Sequence, residues 1–433
     1  MKRNITAKFL EWKQSRVRKP LIVYGARQVG KTYSILNFGA VYYKNTVYFD
    51  LEDSRDIQAV FERDLQPKRI LRELAAAAGQ SILAEDTLIV FDEIQVCERA
   101  LTSLKYFCEN APEYHIIAAG SLLGVALNRE KYSFPVGKVD MLTLYPLDFE
   151  EFLWAAGNEA LAGLIREHFE DFSPFPLHDR GLDLYRTYLI SGGMPRAVME
   201  YIQTQDFNFV QAAQKTLNDS YIADMAKYAS SHETNRILAA WASVPAQLAK
   251  ENHKFQYKLI KHGGRAQEYE LPLQWLKTAG MVNLCEKVRS GLAPLSAYAE
   301  NGFFKLYMVD TGLLCSKFEI APSLVLSGHP RFDIFKGALT ENFICQALRV
   351  NNITPYYWES KGMAEVDFVF QDRQGNIIPL EVKSARNVRS KSLTRFVELY
   401  KPPYAIRVST RNFGFEGGIK SIPLYGIFCL KLS

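Results

Sequence analysis

The chain has 433 residues, of which 48% are hydrophobic and 23% charged, with a formal net charge of +5. This is the composition of a globular chain rather than a disordered or collagenous one, and at about 150 residues per domain its length predicts roughly three domains. No stretch approaches the ~20 consecutive apolar residues that cross a bilayer, so no integral membrane helix is expected.

The opening MKRNITAKFLEWKQSRVRKP scatters charges among isolated apolar residues and lacks the continuous apolar core of a signal peptide. Cys97, Cys108, Cys285, Cys315, Cys345 and Cys429 are widely spaced, with no CxxC or Cys/His ligand spacing. They predict buried thiols in a reducing cytoplasm.

Through residue 150, short apolar runs alternate with helical patterns: LIVYG (21–25), TVYFDLE (46–52), TLIVFDEI (87–94), YHIIAAGS (114–121) and DMLTLYPL (140–147). Continuous apolar strands of this kind belong to a parallel sheet covered by helices on both faces. The first run leads into GARQVGKT, which matches GxxxxGK[ST] between a strand and a helix. In such a loop Gly25, Ala26, Arg27, Gln28, Val29 and Gly30 wrap backbone N–H groups around phosphates at the positive end of the following helix. Lys31 reaches the β- and γ-phosphates and Thr32 Oγ ligates Mg²⁺. LIVFDEIQ supplies the acids that hydrolysis needs, with Asp92 on the metal side and Glu93 as the base that polarises water. Ser121, ending its own strand, is placed to bond that water or the γ-phosphate, or to cap the next helix.

Beyond residue 147, LDFEEFL opens a helix with Asp148 as N-cap and Glu151 three positions on, a capping box. SGGMPRA (191–197) breaks two helical regions. Helical patterns near 234–249, 256–262 and 266–279, followed by strand-like MVNLCEKV, APLSAY and FFKLYMVD, predict a winged helix with Gln267 to Lys277 as its recognition helix. Many such modules bind proteins instead of DNA. The stretch 316–333, with two prolines, is expected to be a linker.

The last quarter holds AEVDFVFQDRQGNIIPLEVKSA, two strand-like runs about a polar loop containing Gly375. With the hairpin centred on Gln374, Asp367 lies opposite Glu381, and Lys383 shares the face of Glu381. Directly opposed carboxylates about 5 Å apart repel unless a cation separates them. Asp367, Glu381 and Lys383 thus match the D…ExK pattern of restriction-endonuclease-like domains, in which acids hold Mg²⁺ and an ammonium helps position water. Glu341, on a preceding helix, is the expected additional metal ligand. The competing reading is a plain cross-strand ion network, Lys383 pairing with Glu381 or Glu365. Residues 336–433 carry 14 Lys/Arg against 8 Asp/Glu, and Arg386, Arg389, Lys391, Arg395, Lys401, Arg407 and Arg411 face only Glu398. This strip suits a polyanion such as DNA, or is simply a solvated face.

GARQVGKT, YFDLED, FDEIQ, AAGSLLG, FPVGKVDMLTLYPLDFEEFL and GGMPRAV together resemble a family of bacterial and archaeal AAA-type ATPases. The resemblance covers nearly the whole chain. It implies an α/β fold class in four parts: a P-loop NTPase domain of AAA type (1–150), a helical region (151–230), a winged-helix-like domain (231–330) and a PD-(D/E)xK nuclease-like domain (331–433). It also implies ATP bound by Gly25 to Thr32 and Mg²⁺-supported hydrolysis through Asp92 and Glu93. AAA-type hydrolysis commonly draws an arginine finger from a neighbouring subunit. Arg129, Arg180 and Arg196 are equal candidates, which leaves a homo-oligomer open. A nucleotide-regulated DNA enzyme and an ATP-dependent interaction switch are the two functional expectations, with a phosphoryl transferase as a third.

Overall fold

The computed structural model describes residues 1–121, 134–229, 231–250, 253–360, 364–383 and 391–432. It separates into two compact units, Arg3–Tyr145 with Thr278–Gly280, and Met1–Lys2 with Pro146–Lys277 and Met281–Ser433. Arg129, Arg386 and Arg389 lie outside the described residues.

In the first unit, β1 (Leu21–Tyr24), β2 (Asn45–Asp50), β3 (Thr87–Asp92), β4 (His115–Gly120) and β5 (Asp140–Thr143) form one sheet in the order β2-β3-β4-β1-β5. Every pairing is parallel. β3 and β4 are buried at every position, the reason their sequences read as unbroken apolar runs. Phe49, Ile89, Phe91 and Ile116 pack with Ile70 and Leu74 of the helix Pro67–Ala78 and Leu101, Leu104 and Phe107 of the helix Glu98–Asn110. Register brings the C-terminal ends together: Tyr24 stands beside Gly120, and Asp50 beside Asp92. The phosphate-loop candidate, the acid pair and Ser121 therefore leave the sheet along one edge.

The second unit begins with the capping box legible in the sequence, Asp148 Oδ1 accepting from Glu151 N at 2.7 Å. The SGGMPRA break falls between the helices His178–Ser191 and Pro195–Thr204. It is forced by close approach, since a Cβ on Gly193 would lie 1.9 Å from Leu147 O. The helices Ser231–Leu248 and Ala266–Thr278 occupy two of the expected helical stretches, whereas 256–262 holds only a 3₁₀ turn, Tyr257–Leu259.

Strands β6 (Val282–Val288) and β7 (Ala299–Met308) form the expected antiparallel ribbon. APLSAY, read as a strand, is instead mostly a 3₁₀ turn, Leu295–Tyr298, and the expected linker 316–333 contains the helix Pro322–Ser327 and another turn. The larger difference is at residue 330. β6 pairs in parallel with β8 (Tyr356–Ser360), and with β9 (Ala364–Gln371), β10 (Ile377–Lys383), β11 (Ala405–Ser409), β12 (Gly414–Glu416) and β13 (Ile419–Pro423) one eight-stranded sheet runs β12-β13-β11-β10-β9-β8-β6-β7. The ribbon thus continues the sheet of residues beyond 330 and does not stand apart as a wing. Local pattern announces a strand without announcing its edge partner, which is why the sequence placed a boundary there.

Candidate functional site

The loop between β1 and the helix Lys31–Tyr42 is built on three left-handed turns of backbone: Gly25 (φ +145°), Gln28 (φ +62°) and Gly30 (φ +91°). Gly25 is required twice over. Its φ is one that side chains rarely adopt, and a Cβ there would meet Leu144 O at 2.1 Å. Ala26 and Val29 are buried. From beneath, the buried Arg3 donates to Val29 O (2.9 Å) and Tyr145 O (2.7 Å), tying the loop to the chain that follows β5.

Lys31 Nζ donates back to Gly25 O (3.1 Å) and Ala26 O (2.9 Å). Burial lowers its pKa to about 8, opposed by the carboxylates of Glu93 and Asp92. Thr32 Oγ1 donates to Asp92 Oδ2 at 2.5 Å, so two side chains sixty residues apart, each expected to hold Mg²⁺, touch directly. Tyr48 OH donates to the same oxygen at 3.1 Å, and burial with the adjacent Asp92 raises the phenol well above its ordinary pKa and keeps it a donor. Glu93 takes a left-handed conformation (φ +48°), a strained position for a residue with a side chain. Its Oε2 accepts from Gln95 Nε2 and from Ser121 Oγ (3.3 Å), while the helix that Ser121 was expected to cap as an alternative falls outside the described residues. The loop, an ammonium, a hydroxyl and two carboxylates are what Mg·nucleotide chemistry asks for, and these residues fit it.

Arg3 and Tyr48 were not singled out from the sequence. Tyr48 carried a signal, being in phase on β2 with Asp50, which pairs with Asp92. Arg3 carried none.

In the second unit the hairpin β9–β10 has the expected register, Ile377 opposite Gln371 through Leu380 opposite Phe368. At Asp367 the ladder changes character, since its side-chain Oδ2 accepts from Val382 N at 2.8 Å. Lys383 Nζ lies 2.6 Å from Glu381 Oε1. Glu341, on the helix Asp333–Val350, accepts from Tyr307 OH at 2.8 Å and has Lys305 Nζ at 3.5 Å. His253 Nδ1 is 2.9 Å from the same oxygen, close enough for an ion pair if protonated but without the angle of a hydrogen bond. Glu365 meets Lys305 at 2.8 Å and Lys254 at 3.3 Å.

Burial pushes Glu341 up, but Lys305 and His253 outweigh it and hold its carboxyl well below the usual range. Asp367 goes the other way, raised by burial and then by the charges of Glu381 and Glu341. Lys305 is buried too, yet Glu341, Glu365 and Asp367 hold its pKa above the ordinary lysine value. Among the described residues no group of three or more His, Cys, Asp or Glu side chains could hold a metal ion. Glu341, Asp367 and Glu381, expected as metal ligands, each have one carboxylate oxygen against a protein donor. Asn342 and Gln346 bond the backbone of Met308 and Thr311.

Residues 17–153 match a family model described as an AAA domain. Residues 182–324 and 336–427 match two models described as domains of unknown function, DUF8612 and DUF4143. The first unit is thus an AAA-type, P-loop NTPase-like α/β domain. No curated protein matches the chain. Similar solved structures include the Walker-type ATPase PABY2304 of Pyrococcus abyssi, at 15% identity and TM-score 0.45 over 73% of this chain and 95% of that one. The ORC2 protein of Aeropyrum pernix, in ADPNP–ADP complexes, shares 10% identity at TM-score 0.33 over 78% and 94%. Likenesses this distant carry no functional argument. No helix among the described residues is long and apolar enough to cross a membrane.

Proposed function

We propose that the chain binds and hydrolyses ATP with Mg²⁺ at the loop Gly25 to Thr32, and that this cycle controls a DNA-binding terminal region. One observation carries the nucleotide reading: Thr32 Oγ1 and Asp92 Oδ2 in contact, with the Lys31 ammonium on the loop and Glu93 adjacent. When bound, Mg²⁺ supplies charge neutralisation at the β- and γ-phosphates. Thr32 and Asp92 are the residues to hold it, directly or through water. Lys31 exchanges two loop carbonyls for phosphate oxygens, and Glu93, oriented by Ser121 and Gln95, accepts a proton from the attacking water. Lys31→Met abolishes binding of a fluorescent ATP analogue, while Glu93→Gln keeps binding and loses turnover. Hydrolysis by Glu93→Gln at the parent rate would defeat this assignment.

DNA as partner is supported by a groove of about 650 Å³ lined by Lys391, Arg395 and Arg407 together with Pro402, Pro403 and Tyr404. The buried Nε of Arg407 has no hydrogen-bond partner. Affinity for DNA that falls steeply with salt, and that differs for Glu93→Gln with and without ATP, is the expected behaviour. Equal affinities would remove the coupling.

A second reading, an ATP-dependent interaction switch whose terminal region docks a partner without cutting, is favoured by the protein donors that hold Glu341, Asp367 and Glu381. Plasmid nicking with Mg²⁺ or Mn²⁺ separates the two. Nicking abolished by Asp367→Ala and by Lys383→Ala supports the nuclease, and its absence in the parent supports the switch.

A further inference from the structure

We infer that Lys305 is a tethered cation occupying the acid cluster of the second unit, in the role a divalent metal plays in a metal-dependent nuclease. Its side chain is 1% exposed, and a buried ammonium persists only where anions and hydrogen bonds replace water. Those anions are Glu365 at 2.8 Å and Glu341 at 3.5 Å, with Asp367 close enough to act on it by charge.

One oxygen of each acid expected to ligate a metal faces a protein donor. Tyr307 donates to Glu341, the Val382 amide to Asp367, and Lys383 pairs with Glu381. A hard divalent ion needs several oxygens converging on one point at 2.0–2.6 Å. Here one oxygen each of Glu341, Asp367 and Glu381 turns toward a separate donor, and the Lys305 ammonium lies against Glu365 and Glu341. A metal entering the cluster would confront a buried positive charge with nowhere to go. The acids and the lysine instead link β7 to β9 and to the helix Asp333–Val350. On this account the terminal sheet keeps the acids of a nuclease-like hairpin while its own lysine excludes the metal.

The test is Mn²⁺ binding, followed by electron paramagnetic resonance, to the full chain without nucleotide. Lys31→Met serves as the parent so that the phosphate-loop region does not contribute. The parent should take up no Mn²⁺ that Asp367→Asn removes. Adding Lys305→Met should tighten Mn²⁺ binding at least about tenfold, about 1.4 kcal/mol, and Asp367→Asn on top should cancel the gain. Asp367-dependent Mn²⁺ in the parent overturns the inference, as does a folded Lys305→Met chain, checked by circular dichroism, that gains none. Should Lys305→Met not fold, the comparison of parent with Asp367→Asn decides alone: Mn²⁺ uptake unchanged between them sustains the inference, and uptake lost with Asp367→Asn overturns it.

Discussion

Replacing Gly25 with alanine adds one methyl group to the turn that starts the phosphate loop, and the structure allows its cost to be worked out. Two penalties combine. A residue with a side chain held at φ +145° costs about 1–3 kcal/mol. The new Cβ would also sit 2.1 Å from Leu144 O, which belongs to backbone and cannot swing aside. Relieving that contact moves the chain after β5, whose Leu144 N bonds Tyr24 O at 2.8 Å, and a bond so strained forfeits about 1 kcal/mol. The sum is about 2–4 kcal/mol of stability in the first unit, together with displacement of the loop amides. Gly79→Ala is the control, because Gly79 also has positive φ (+65°) but no atom within 4 Å of where its new methyl would sit. It should cost about 1 kcal/mol. Urea unfolding and titration with a fluorescent ATP analogue measure both effects. Should Gly25→Ala unfold like Gly79→Ala and bind nucleotide like the parent, the close approach of Leu144 O has no energetic consequence and the reasoning fails.

Arg3→Met strips donors from the buried carbonyl of Val29 and the half-buried one of Tyr145 and should cost about 2–4 kcal/mol while weakening nucleotide binding. Unchanged affinity would separate Arg3 from the loop. Burial, reinforced by the charges of Arg18 and Lys13, lowers His115 to about 4 from 6.5. Between those values the unfolded chain takes up a proton that the folded chain refuses, so stability falls as pH drops from 6.5 toward 4, by up to about 3 kcal/mol. His115→Gln should flatten this part of the pH dependence of the urea midpoint, and parallel profiles would refute it. Asn342 accepts from Met308 N at 2.7 Å and donates to Met308 O and Thr311 Oγ1, so Asn342→Ala should cost about 2–4 kcal/mol in unfolding experiments. A loss below about 0.5 kcal/mol would mean that water replaces the amide without penalty.

Where chemistry is encoded in contiguous residues the sequence was enough. Continuous apolar runs announced β1, β3 and β4 because burial on both faces leaves no room for polar alternation. GARQVGKT announced its loop because only glycine tolerates the backbone at Gly25 and Gly30. The capping box at Asp148 and the hairpin register around Gln374 are likewise local geometry, set by hydrogen bonds a few residues apart.

What sequence could not supply was the partner at long range. Arg3 beneath the loop, Tyr48 on Asp92 and the pairing of β6 with β8 each join segments whose proximity is decided by packing. Lys305 shows this best. As a letter in FFKLYMVD it is one lysine among many, and only the folding of β7 beside Glu365 and Glu341 makes it the buried counter-charge of Glu365 and of Glu341, the latter an acid that the sequence had assigned to a metal. Hydrogen bonds and ion pairs act over a few ångströms of space, whereas a sequence records distance only along the chain.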